Sequence, residues 1–183
     1  MSPLTAPPAR GYNSLRIPLA PRKETDLTTP QVETLTELKL TPELKKLINE
    51  SYVPNDFPIM MAHVDEQGRP GMSYRGSIIA YSDTQIGVWA RHADGGTAKA
   101  IERNPNVTLV YREPSPDHGR SRAVITFRGQ ARIDNSGAAR RGVYDNMPQR
   151  ERDADPEMLG VAIIVDLDSV EGFMPGYRLQ MKR

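Results

Sequence analysis

At 183 residues, with 26% charged and 38% hydrophobic residues, the chain has room for one domain and an appendage. A domain of that size buries roughly 70% of its unfolded surface. Its 24 basic and 23 acidic residues leave a net charge of +1, which gives no support to nonspecific nucleic-acid binding by a basic face. The absence of cysteine excludes disulfides, thiolate catalysis and cysteine-ligated zinc. No apolar run approaches the roughly 20 residues that span a bilayer, and the N-terminus lacks the charged-then-apolar shape of a signal peptide. The expectation is a soluble, cytoplasmic protein without a membrane partner.

Residues 1–29 carry Pro3, Pro7, Pro8, Pro18 and Pro21 without helical or strand period, which predicts an extended or disordered tail. Within it Leu15, Ile17 and Leu19 alternate, a pattern able to extend a sheet edge or meet a partner subunit. Residues 30–57 read as N-terminal helices. Val32, Leu35 and Leu38 recur every three residues, and Thr41-Pro42 is an N-cap followed by proline at the first helical position. Leu44, Leu47 and Ile48 then form an apolar stripe suited to core packing.

From residue 58 to 183 the pattern is β. Strands are expected over 59–64, 72–80, 86–90, 107–111, 122–133 and 161–167, the last followed by 169–173, with a hairpin turn at 65–68 and a bulge or bend at Gly129. A short helix is expected between Gly96 and Asn104, and helix with loop over 136–159. Short turns between strands, without a regular helix after each, predict a mainly β (α+β) fold rather than a doubly wound sheet. The expected form is a closed or split antiparallel barrel of about six strands.

The densest chemical signal runs from Tyr74 to Val107. Arg75 and Arg91 end strand patterns, and Gly95-Gly96 opens a helix carrying Thr97 and Lys99. Cations, a hydroxyl and free N–H groups at a helix start are what a phosphate needs. The competing reading is a solvated β surface with Arg75 and Arg91 as ordinary exposed residues. Of the three histidines, His92 lies beside Arg91 and reads first as a solvated loop residue, second as a proton donor. His63 reads as core or interface, and His118 as exposed. Asp166 and Asp168 share one side of a strand and read as a polar edge rather than a metal site.

The segment 58–173 resembles the pyridoxamine 5′-phosphate oxidase-like FMN-binding split-barrel family. The resemblance is carried by RGS at 75–77, WAR at 89–91, GGTAKAIERNPNV at 95–107, FRGQARI at 127–133 and DPEMLGVAIIVDLDSVEGF at 155–173. It implies a six-stranded antiparallel split β-barrel with flanking helices. It also implies a homodimer with FMN at the subunit interface, or in other branches a deazaflavin or haem. Carried over residue by residue, Arg75, Gly76 and Ser77 would line the flavin from one strand and Trp89, Ala90 and Arg91 from the next. Thr97 and Lys99 would reach the phosphate. Two departures set the chain apart from true pyridoxamine 5′-phosphate oxidases. Gly96-Thr97-Ala98-Lys99 stands where those enzymes carry an Arg-Lys pair, and Tyr177-Arg178-Leu179 has no tryptophan nearby.

The function this implies is an FMN-dependent oxidoreductase acting on a small organic substrate, with NAD(P)H as an electron source. The alternatives are a non-catalytic flavin- or haem-binding protein and a deazaflavin-dependent reductase. The cofactor carries the hydride chemistry in such a protein, so no catalytic side chain is singled out and no metal site is expected.

Overall fold

The structure, a computed structural model, describes residues 32–116 and 119–183. The tail expected over 1–29, its alternating leucines and isoleucine, and His118 lie outside these residues. In chain order the elements are β1 (Glu33–Glu37), α1 (Pro42–Asn49), β2 (Ile59–Val64), β3 (Pro70–Arg75), β4 (Ile78–Ala80) and β5 (Gln85–Ala90). Then come α2 (Gly96–Arg103), β6 (Asn106–Pro114), β7 (Ser121–Asp134), α3 (Gly137–Tyr144), α4 (Gln149–Asp153), β8 (Val161–Met174) and β9 (Tyr177–Lys182). None of the described helices is long and apolar enough to cross a membrane.

The protein is mainly β, as expected, but the strand count and pairing differ. Among the described residues nine strands form one sheet in the order β1-β9-β8-β7-β6-β2-β3, with β5 joining β8 and β4 joining β5. The expectation of six purely antiparallel strands is therefore corrected. β1 runs parallel to β9, so the sheet is mixed, and β1, β3 and β4 are open ends rather than a closed barrel. β9 arises from a C-terminal stretch whose alternation is clear only against a partner: Leu179 and Met181 are buried while Arg178, Gln180 and Lys182 face out.

A second correction falls on residues 33–37, expected as helix and found as strand. Val32 is 61% exposed, so the three-residue spacing does not describe one buried face. Thr34 and Thr36 flank Leu35, and β-branched residues favour a strand once an edge is offered. That edge is β9, with Leu35 opposite Leu179. The second expected helix is present as α1. Thr41 Oγ1 accepts from the Leu44 N–H, Pro42 sits in the first turn, and Leu44 and Ile48 are buried.

β8 is the central strand. One edge pairs with β7 along its length, while the other pairs with β5 at its start and β9 at its end. Its run Val161–Val165 does not alternate because both faces are covered. Ile163 and Val165 enter the main core with Ile59, Met61, Val88, Leu109, Ile125 and Phe127. Ala162 and Ile164 enter a second core with Ile79, Trp89, Val143 and Met147, beneath α3.

The expected irregularity at Gly129 is a bulge. The β7–β8 register shifts between Arg128 and Gly129, pairing them with Ser169 and Leu167 and leaving Asp168 as the extra residue. A Cβ at position 129 would stand 2.2 Å from the Asp166 carbonyl oxygen. Gly129→Ala is accordingly expected to lower stability by about 1–3 kcal/mol, because backbone rather than a flexible side chain must move. An unchanged urea midpoint would contradict this account of the bulge.

Candidate functional site

The strand register decides which residue of Tyr74, Arg75 and Gly76 turns inward. β3 alternates, with Met72 and Tyr74 66% and 73% exposed and Gly71, Ser73 and Arg75 half-buried on the opposite face. Arg75 stands opposite Ile59 of β2, whose side chain is fully buried. Its guanidinium therefore lies partly beneath the sheet, where Nη2 donates to Thr97 Oγ1 at 2.5 Å. Its Nε–H is buried and has no partner among the described residues. Burial pulls the guanidinium below the usual arginine range; the nearby Arg91 charge adds to this and Glu151 opposes it. A cation with a spare buried donor and a cationic neighbour is poised for an anion.

Beyond Gly76 the chain is clamped to the end of β5. The Ser77 hydroxyl donates to the Trp89 carbonyl at 2.8 Å, and the Trp89 N–H donates to the Ser77 carbonyl at 3.2 Å. Ser77 thus holds the two strand ends together, its hydroxyl already committed. The Trp89 ring turns to the second core, 1% exposed, so only its backbone belongs to the site. The ring meets Tyr144 edge-on at 5.2 Å, and the Arg140 guanidinium lies 5.3 Å from its centroid. The indole N–H donates to Asp155 Oδ2 at 2.8 Å. The same carboxylate accepts from the N–H groups of Leu159 and Gly160 at 3.0 and 2.9 Å. Burial pushes the Asp155 carboxyl up, but the Trp89, Gly160 and Leu159 hydrogen bonds and the Arg140 charge outweigh it and hold it below the usual range.

After Arg91 the loop turns at His92, with the Gly95 N–H donating to the His92 carbonyl at 3.1 Å, and enters α2 at Gly96. Gly95 is the N-cap and supplies no side-chain cap, so the first N–H groups of α2 stay available to a ligand. Together these segments line a cleft of about 220 Å³. Seven of the eight residues singled out from the sequence meet there: Arg75, Gly76, Ser77, Trp89, Ala90, Arg91 and Thr97. The eighth, Lys99, is exposed and does not line it. Its spacing from Thr97 carries it round the helix.

His92 lines the cleft and is exposed. His63, on β2, is half-buried, and among the described residues its Nδ1 has no partner; burial and then the Arg75 charge hold its pKa down against Asp65. Asp166 accepts from Gln85 at 2.7 Å and pairs with Arg132, a structural role. Among the described residues no group of His, Asp and Glu is arranged to hold a metal.

Two contributors were not legible in the sequence. Glu151 of α4 lines the cleft, and Tyr52, just after α1, packs over Gly76. A Cβ at Gly76 would lie 2.5 Å from Tyr52 Cδ1 and 2.6 Å from Glu151 Oε1, so glycine is what lets both approach. Neither residue stands in a motif, and only the fold brings them to β3.

No family model and no curated protein matches the sequence. Solved structures do match. HupZ of Group A Streptococcus aligns with TM-score 0.55 and 22% identity, covering 75% of this chain and 97% of that one. A candidate pyridoxamine 5′-phosphate oxidase of Lactobacillus delbrueckii aligns with TM-score 0.51 and 18% identity, covering 74% and 96%. An FMN-binding protein of Syntrophomonas wolfei aligns with TM-score 0.50 and 12% identity, covering 71% and 86%. Likeness at these identities speaks to the fold, and it agrees with the ordered motifs between residues 58 and 173. The chain has the fold of the pyridoxamine 5′-phosphate oxidase-like proteins.

Proposed function

We propose that the protein is a cytoplasmic FMN-binding oxidoreductase of the split-barrel type, acting as a homodimer on a small organic substrate. The observation that carries the reading is Arg75, whose buried Nε–H has no partner among the described residues while Nη2 meets Thr97 at the start of α2. Arg75, Arg91, Thr97 and the N–H groups at Gly96 and Thr97 would hold the phosphate. The backbone from Gly76 to Ser77 and from Trp89 to Ala90 would form the wall beside the ring, kept rigid by the Ser77–Trp89 pair. When bound, FMN supplies hydride transfer to or from the substrate, with NAD(P)H as an electron source.

The dimer is supported by size and surface. A cleft of about 220 Å³ is smaller than the roughly 300–1,000 Å³ of ordinary ligand pockets, which fits a flavin shared with a second wall. Beside the cleft, Tyr74 lies opposite Met60 and Met72 opposite Ala62, and Met60 continues to Val110. Met72 and Tyr74 are the exposed members of this outer face, the kind of patch a partner covers. Sedimentation at micromolar concentration is expected to give a dimer; monomer alone would remove the second wall.

The test of the cofactor is the absorption spectrum of the purified protein, before and after adding FMN. Oxidised-flavin bands retained through gel filtration are expected. A Soret band instead would replace flavin by haem and turn attention to His92. A colourless protein that takes up a deazaflavin and ignores FMN would move the chain to the reductase alternative.

A further inference from the structure

Glu151 is an odd residue to find in a cationic cleft. It sits on α4, and its carboxylate lies beside the backbone of Gly76, next to Arg75. Tyr52 packs against the same glycine, and the Arg150 guanidinium covers the Tyr52 ring at 5.3 Å. Arg152, the other cation of α4, is taken up by the carbonyls of Asp145 and Met147 and by Gln149. Among the described residues Glu151 makes no ion pair within 4.0 Å, yet its charge is felt at Arg75. The plain alternative is a solvated helix residue with no bearing on ligands.

We propose that Glu151 is a built-in counter-charge that sets which anions the cleft prefers, weakening a doubly charged phosphate more than a singly charged one. The inference rests on the reading of the cleft as an anion site. The arginine, lysine, aspartate and glutamate residues lining the cleft are Arg75 and Arg91 against Glu151. Two positive charges less one negative match a single negative charge on the ligand. Repulsion from Glu151 scales with ligand charge, so it falls twice as heavily on a dianion. The consequence is a site in which the gap in affinity between a phosphomonoester and a phosphodiester is narrowed.

The experiment is Glu151→Gln, which keeps the size and hydrogen-bonding reach of the side chain and removes its charge. Methyl phosphate and dimethyl phosphate are titrated at pH 8 into both proteins and followed by protein NMR. At that pH the monoester is doubly charged, its second pKa being about 6, and the diester singly charged. The substitution is expected to tighten methyl phosphate by about 5-fold and dimethyl phosphate by about 2-fold, both gains shrinking as salt is raised. Equal shifts for the two ligands, or none, would overturn the proposal. Thermal melting of the variant checks that the fold is kept. A parallel FMN titration separates the two ideas: failure to bind FMN, with the ligand-charge dependence intact, removes the flavin reading and keeps the counter-charge.

Discussion

Replacing Asp155 with alanine is expected to destabilise the protein by about 2–4 kcal/mol, a large share of a typical domain's stability. Asp155 is 7% exposed and accepts three hydrogen bonds, from the Trp89 indole and the Leu159 and Gly160 N–H groups. Alanine would leave those donors buried without partners, and each orphaned donor costs about 1–3 kcal/mol before relaxation. The loss also reaches the site, because Asp155 ties the segment entering β8 to the end of β5 beside the cleft. Urea unfolding followed by the fluorescence of the sole tryptophan, Trp89, would measure it directly. A shift under about 0.5 kcal/mol would show that water replaces the carboxylate and that the tie is incidental.

The same residue sets a pH dependence. Its carboxyl is held below the usual range in the folded protein, so the unfolded chain binds the proton more readily. The stability it adds is therefore present above the unfolded pKa of about 3.9 and is lost as pH falls through the lower folded value. Asp155→Ala should flatten the acid limb of the stability curve below about pH 4 while lowering stability at neutral pH. Parallel curves for the two proteins would place the acid sensitivity elsewhere.

Arg75→Ala carries the largest effect expected on ligand binding. Loss of a charge-assisted phosphate contact costs about 1–3 kcal/mol, or roughly 5- to 150-fold in the FMN dissociation constant. Riboflavin, which lacks the phosphate, should lose much less, so the ratio of the two isolates the anion contact from wall packing. Arg75→Lys keeps charge but not the planar fork that reaches Thr97 with one nitrogen while presenting others, and should recover only part of the loss. Arg91→Ala should act in the same direction more weakly, since Arg91 is exposed and screened by solvent. Unchanged FMN affinity in both alanine variants would sink the phosphate assignment. Folding stability offers a contrast: Arg75 is partly desolvated and its Nε has no partner among the described residues, so its removal should not weaken the fold as Asp155→Ala does.

Much of this architecture follows from short-range patterns. Thr41-Pro42 marks the start of α1 because an N-cap hydroxyl and a proline at the first turn satisfy local requirements. Gly95-Gly96 and Asn104-Pro105 bound α2 in the same local way. The alternation of Ala123, Ile125 and Phe127 shows which face of β7 is buried, since successive side chains point to opposite sides. Seven of the eight candidate residues converge on one cleft because they sit at the end of β3, the link into the start of β4, the end of β5 and the start of the helix that follows, all within residues 75–97.

What the sequence could not decide depends on partners far along the chain. Residues 33–37 suit helix or strand until the edge of β9 is offered, and β9 itself needs β8 to make sense of its alternation. Tyr74 and Arg75 could exchange faces with a one-residue slip; pairing of Arg75 with Ile59 removes that freedom, because Ile59 must be buried. Glu151 and Asp155 reach β3 and β5 only when α3 and α4 fold back across the sheet, and no local pattern encodes a carboxylate's arrival beside a distant guanidinium or indole. Local propensity and spacing thus determined the elements and the residues able to meet an anion. Long-range pairing alone decided which side of the sheet they face and which opposing charge stands among them.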